Sequence, residues 1–173
     1  MASLNTVLEV LYVLRERPVP ETLRQDPPIS FETGDAIRFQ LHDNRAPDPG
    51  PAAWKLVWAD EFNGPAGTKP DARNWTHEIG DGTANGIPGW GNDELEYYTP
   101  GGANAAADGN GNLVITTQAA DGALQCYYGP CKYTSARLLT KNRFEVAYGR
   151  VETRVKVPVG AGLWPAFWML GGS

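Results

Sequence analysis

Two cysteines and two histidines are all that 173 residues contain of either type. That leaves little material for thiol or imidazole chemistry. Neither His42 nor His77 has the spacing of a zinc ligand. No apolar run approaches the roughly 18 residues that suggest a membrane-spanning helix, so no membrane partner is expected. No cluster of Lys and Arg is present, and the net charge is −5. Nucleic acid is thereby excluded as a natural partner, because phosphate recognition needs clustered positive charge. The N-terminus has no early Lys or Arg, and Glu9 interrupts its apolar run, so no signal peptide is visible. Residues 1–50 also lack Trp and Lys, whereas all 6 Trp lie at position 54 or beyond.

What the chain does have points to strands. Gly (20) and Pro (14) are abundant, as suits short strands joined by tight turns. Val151, Thr153, Val155 and Val157 alternate with Glu152, Arg154 and Lys156, which predicts a strand with valines in a core. Phe144, Val146 and Tyr148 alternate too, and Leu113 to Thr117 is rich in β-branched residues after the turn Asp108-Gly-Asn-Gly-Asn112. That turn lacks the later ligands of a calcium-binding EF-hand loop, with Leu113 and Ala119 where Gly and Glu are needed. The expectation is an all-β antiparallel sandwich or barrel. Residues 1–50 read as a separate extension of unknown role. Leu4, Val7, Leu8, Leu11 and Leu14 fall on one face of a helix. Ala36 to His42 alternates as one half-buried strand, and residues 45–51 form a Pro-rich linker to a domain at 51–173.

The aromatic residues give the first chemical clue. Trp75, Trp90, Tyr97, Tyr98, Trp164 and Trp168 sit among Gly, Asn and acidic residues. A flat indole accepts the C–H face of a pyranose ring, while Asn, Glu and Arg reach its hydroxyls. Ligand sites generally pair such an apolar floor with a few placed polar groups. Trp58 and Trp168 lie in apolar runs and read as core; Trp90 and Trp164, beside Gly and Pro, read as facing a cleft. Glu94 and Glu96 share the i, i+2 spacing of one strand face, but they follow a glycine-rich loop. They read as a substrate-contacting loop rather than a catalytic pair. Cys126 and Cys131 flank Tyr-Tyr-Gly-Pro, whose turn suits a disulfide; two free thiols are the alternative. Asn74-Trp-Thr76 is an N-glycosylation triplet of a kind that is frequent by chance.

Six segments in order then resemble a known family. They are Trp54-Lys-Leu-Val-Trp-Ala-Asp-Glu-Phe-Asn-Gly64, Trp90-Gly-Asn-Asp-Glu-Leu-Glu-Tyr-Tyr-Thr99, Gly109-Asn-Gly-Asn-Leu-Val-Ile-Thr116, Tyr133-Thr-Ser-Ala-Arg-Leu138, Tyr148-Gly-Arg-Val-Glu-Thr-Arg-Val-Lys156 and Gly162-Leu-Trp-Pro-Ala-Phe-Trp-Met-Leu-Gly171. Each is weak alone; together they resemble glycoside hydrolase family 16, in its laminarinase-like branch of endo-1,3-β-glucanases.

The resemblance implies a concanavalin A-like β-jelly roll with a glycan cleft, an extracellular setting, and a monomer acting on β-1,3-glucan. It implies retaining hydrolysis by two Glu and a tuning Asp in Glu-Ile-Asp-Ile-Met-Glu or a close variant. No such motif occurs before Ser173. The expected domain is therefore incomplete at its C-terminus, with no catalytic residue of its own. The implied substrate contacts are Trp90, Asn92, Glu94, Arg137 and Trp164. No cofactor is required; a structural calcium is implied at Glu61 and near Gly111. The leading reading is a glucanase portion inactive alone. The alternatives are a non-catalytic β-glucan-binding module and a non-functional fragment.

Overall fold

The computed structural model describes residues 6–14, 37–41, 55–146, 150–158, 160 and 162–171. Fourteen strands occur in chain order among these residues. They are β1 (Thr6–Leu14), β2 (Ile37–Leu41), β3 (Lys55–Asp60), β4 (Thr76–Glu78), β5 (Glu96–Tyr98), β6 (Ala105–Ala107), β7 (Leu113–Ile115), β8 (Gln118–Ala119), β9 (Gln125–Cys126), β10 (Gly129–Pro130), β11 (Tyr133–Ser135), β12 (Arg137–Leu139), β13 (Arg150–Glu152) and β14 (Leu163–Gly171). Helix is confined, among the described residues, to single 3₁₀ turns at Thr83–Asn85 and Pro88–Gly91. No helix there is long and apolar enough to cross a membrane. The fold is all-β, as the turn-rich composition predicts.

The largest sheet runs β14-β1-β12-β4, and a second runs β13-β2-β3. Pairing in both is antiparallel. A third sheet, β5-β11-β8, contains the one parallel pair among the described strands, β11 against β5. Buried Leu138 and half-buried Phe167 come from the first sheet, Trp58 and Val151 from the second, and they meet in one core with Phe62, Trp75, Ala105 and Ala136. Two sheets sharing an apolar layer make a sandwich. Trp75, which is fully buried, satisfies its indole N–H on Asp60 Oδ2 at 2.8 Å. Its ring meets Trp58 edge-on, and Trp58 stacks on Phe144 with centroids 5.1 Å apart.

The helix expected near the N-terminus is instead strand β1. It pairs with β14 over nine residues, from Thr6 opposite Gly171 to Leu14 opposite Leu163, and with β12 through Glu9, Val10 and Leu11. The leucine spacing fits a helix, but Val7, Val10 and Val13 are β-branched and favour a strand. In a nearly continuous apolar run, periodicity alone does not decide between the two. β2 forms where alternation predicts it, between β3 and β13. The extension thus supplies a strand to each of the two main sheets. Leu4, the linker at 45–51 and Tyr148 lie outside the described residues.

A second expectation is overturned after Glu152. The alternating run is strand only over Arg150–Glu152, and Val155 and Val157 are exposed rather than in the core. The turn at Asp108 behaves as expected. Its carboxylate accepts the N–H groups of Asn110 and Asn112, joining β6 to β7.

Candidate functional site

Strand register places the site. Arg137 on β12 lies directly opposite Glu78 on β4, so both side chains project from the same face of the largest sheet. Through β1, Leu11 is opposite both Arg137 and Ala166. Ala166 therefore shares that face, and so do Trp164 and Trp168, two residues to either side of it. Leu138 and Phe167 point the other way, into the core. One face of this sheet thus builds the sandwich, and the other carries two indoles and a guanidinium.

Arg137 organises this face. Its Nε lies 2.9 Å from Glu78 Oε2. Its guanidinium carbon stands 4.5 Å from the Trp90 ring centroid and 6.0 Å from those of Tyr98 and Trp168. The planar cation is stacked on an aromatic floor, an arrangement Lys does not reproduce. Trp90 is held from below by its indole N–H on the Gly80 carbonyl at 3.3 Å. Its backbone is left-handed, with φ 51°, as is that of Asp93 at 58°. Bulky residues rarely adopt this conformation, and such strain concentrates at functional loops.

Under the loop lies a buried acidic cluster. Tyr98 donates its hydroxyl proton to Glu94 Oε2 at 2.6 Å and lies 3.2 Å from Glu96 Oε1. The Leu95 N–H donates to Glu96 Oε2, and Asn92 Nδ2 to Glu94 Oε1 at 3.3 Å. Burial, then the charges of Glu96 and Glu94, push the Tyr98 phenol well above its ordinary range, against a smaller opposing pull from Arg137. Both carboxylates are engaged within the protein, so they do not face one another across an open cleft as hydrolytic carboxylates must.

The expected substrate contacts fare differently. Trp90 and Arg137 come together, and Glu94 joins them through Tyr98. Trp90 was expected to be an exposed platform but is buried, because Arg137, distant in sequence, lies on its face. Asn92 is exposed, and Glu94 is only 2 % exposed. Trp164 is open at 56 % exposure. Trp168, expected in the core, is instead 37 % exposed beside Arg137. The period of two carried that signal: Trp164 and Trp168 are four residues apart on one strand and must share a face. Glu78 had no local signal, since only pairing with β12 gives it a role.

Two further expected sites involve other residues. Cys126 and Cys131 are bonded to each other across the hairpin of β9 and β10. Around Gly111, a methyl group built on the α-carbon would meet Asn63 Oδ1 at 3.2 Å and the Glu61 carbonyl at 3.6 Å. Such neutral oxygens are donors that calcium accepts. No group of three or more acidic, His or Cys side chains able to hold a metal occurs among the described residues.

Comparison with known proteins gives the chain's similarities. Residues 94–173 match the model for glycosyl hydrolases family 16. A β-glucanase of Rhodothermus marinus is 41% identical over 117 residues, covering 68% of this chain and 36% of that protein. A glucan endo-1,3-β-glucosidase A1 of Niallia circulans is 38% identical over 129 residues, 71% of this chain and 18% of that protein. A β-1,3-glucan-binding protein of Penaeus monodon is 60% identical over 37 residues, 21% of this chain and 10% of that protein. The chain thus spans about a third or less of the length of these relatives.

Proposed function

The chain carries part of a laminarinase-like domain of glycoside hydrolase family 16, and on that premise we propose that it binds β-1,3-glucan along the open face of its largest sheet. The observation that carries this reading is the exposure of Trp164 and Trp168 on one face beside Arg137. Residues four apart on a strand are separated by about 13 Å, so the two indoles offer stacking planes for more than one sugar ring. Arg137 supplies donors for ring hydroxyls between them, and Glu78 and Trp90 hold it in place. Relatives named for glucan hydrolysis and for glucan binding support the substrate class.

The 173 residues contain no Glu-x-Asp-x-x-Glu, and Glu94 and Glu96 are tied to Tyr98. We assign to these residues the binding of glucan and not the cleavage of its bonds. The Cys126–Cys131 disulfide supports an oxidising, extracellular setting. The oxygens around Gly111 support a structural calcium at Glu61 and Gly111.

Affinity electrophoresis of the full chain in laminarin tests the proposal. Retardation that is lost in Trp168→Ala and in Arg137→Ala is expected. Unretarded migration of the folded wild type rejects the binding reading. Release of reducing sugar by a pure preparation rejects the non-hydrolytic part alone.

A further inference from the structure

The disulfide hairpin has no part in the site as described so far, yet it is built against the loop that carries Trp90 and Glu94. β9 and β10 have two residues each, too few to hold a hairpin alone. The Cys126–Cys131 bond closes it, and the Cys131 N–H donates to the Leu124 carbonyl at 2.9 Å. Two tethers then fix it to the site loop. The Tyr127 N–H donates to Asp81 Oδ2 at 2.6 Å, and the Tyr128 hydroxyl donates to the Leu95 carbonyl. Asp81 works in both directions, because its own carbonyl accepts the Trp90 N–H at 3.3 Å. One buried residue thereby sets the spacing between Tyr127 and Trp90.

The approach is close. A methyl group built on Gly89 would lie 2.9 Å from Tyr127 Cε1 and 3.2 Å from the Glu94 nitrogen. Gly89 also has φ +58°, so glycine suits both the turn and the contact. Tyr127 nevertheless remains 41 % exposed. Its backbone is pinned, its ring meets Tyr128 edge-on at 5.0 Å, and a wide part of it faces solvent. Tyrosine held this way offers contact area at low entropic cost, as in antibody binding sites.

We propose that the hairpin of residues 125–131 is one wall of the glycan site, with Tyr127 as a further sugar-contacting aromatic placed by the disulfide and Asp81. This rests on the binding reading above. Tyr127 takes an additional pyranose of the same glucan chain, past the Trp90 loop from Arg137. It therefore matters for long ligands and not for short ones.

The test measures affinity of the full chain for laminarin and for laminaritriose by intrinsic fluorescence titration, with thermal melting alongside. Tyr127→Ala is expected to weaken laminarin binding about fivefold and to leave laminaritriose binding unchanged, with a cooperative melt showing that the variant is folded. Tyr127→Phe, which keeps the ring, should retain wild-type affinity. Cys126→Ser with Cys131→Ser should reproduce the Tyr127→Ala loss. Equal laminarin affinity in wild type and Tyr127→Ala overturns the inference while the binding reading stands. Equal weakening on both ligands also overturns it, because the ring then acts through the loop rather than on an extra sugar. Failure of the folded wild type to bind laminarin overturns both, and is distinguished by the absence of any titration before a variant is made.

Discussion

Arg137 lies on Trp90, its guanidinium carbon 4.5 Å from the ring centroid, while Glu78 meets its Nε at 2.9 Å. This pairing of a stacked cation with one carboxylate fixes both the orientation of the donors and the burial of the indole. Replacing Arg137 by Lys keeps the charge but loses the plane and the fork. Arg137→Lys is therefore expected to weaken laminarin affinity about tenfold, or about 1.4 kcal/mol. Glu78→Gln should cost about 1–3 kcal/mol of stability, since a mostly buried guanidinium loses the carboxylate charge 2.9 Å from its Nε. Titration calorimetry and urea melts read the two effects separately. A Lys variant with wild-type affinity would mean that charge alone suffices.

The Tyr98 hydroxyl joins Glu94 to Glu96. Tyr98→Phe leaves two buried carboxylates without that donor, and a loss of about 1–3 kcal/mol in urea unfolding is expected. The phenol also reports on alkaline stability. Its folded pKa is raised by burial and then by Glu96 and Glu94, above the ordinary 10.0. The folded state thus holds the proton more tightly than the unfolded state. The stabilisation is fully present below pH 10 and is lost as pH rises through the folded value. Absorbance titration at alkaline pH should show one tyrosine ionising only with unfolding, and that component should vanish in Tyr98→Phe.

His77 sits opposite Leu138, on the core-facing side of β4. Burial lowers its pKa below the ordinary 6.5, nearby Lys69 adds to this, and a Thr99 backbone hydrogen bond opposes it. The unfolded chain therefore binds the proton more readily. The contribution of His77 is complete above about pH 6.5 and is lost as pH falls through the lower folded value. Unfolding free energy measured from pH 8 to 5 should fall in the wild type and fall less in His77→Gln. Identical slopes would place the acid sensitivity elsewhere.

The oxygens gathered at Gly111 make a chelation test informative. Exhaustive treatment with a calcium chelator should lower the melting temperature, and added calcium should restore it by mass action. A melting temperature indifferent to both would remove the metal from the account.

Much of the fold could be read from local pattern, and the failures share one cause. β2, β7 and the Asp108 turn declare themselves in alternation and in turn chemistry, which act over a few residues. Trp90 did not, because its neighbours are glycines while its burial depends on Arg137 far along the chain. Trp168 was misread because an apolar run does not say which of its faces is covered. The strand predicted to Val157 ends at Glu152, the last of its residues to pair with β2, opposite Arg38. In each case long-range pairing decided what local sequence left open.

β1 is the sharpest instance, and it gives the last prediction. Val10 is opposite Leu138 on one side and Phe167 on the other, so its backbone stands in the middle of a sheet. β14 and β12 are joined only through this strand in the order β14-β1-β12-β4. Proline has no N–H to donate and is excluded from central strands. Val10→Pro should therefore cost about 1–3 kcal/mol through the lost ladder bond and loosen β14 with it. Because β14 carries Trp164 and Trp168, laminarin affinity should fall in the same variant. Chain termini that are not tied into a sheet tolerate such a change. A Val10→Pro protein with unaltered urea midpoint and unaltered glucan affinity would thus detach the N-terminal segment from the sheet. A joint loss would make it the strand on which the open face is built.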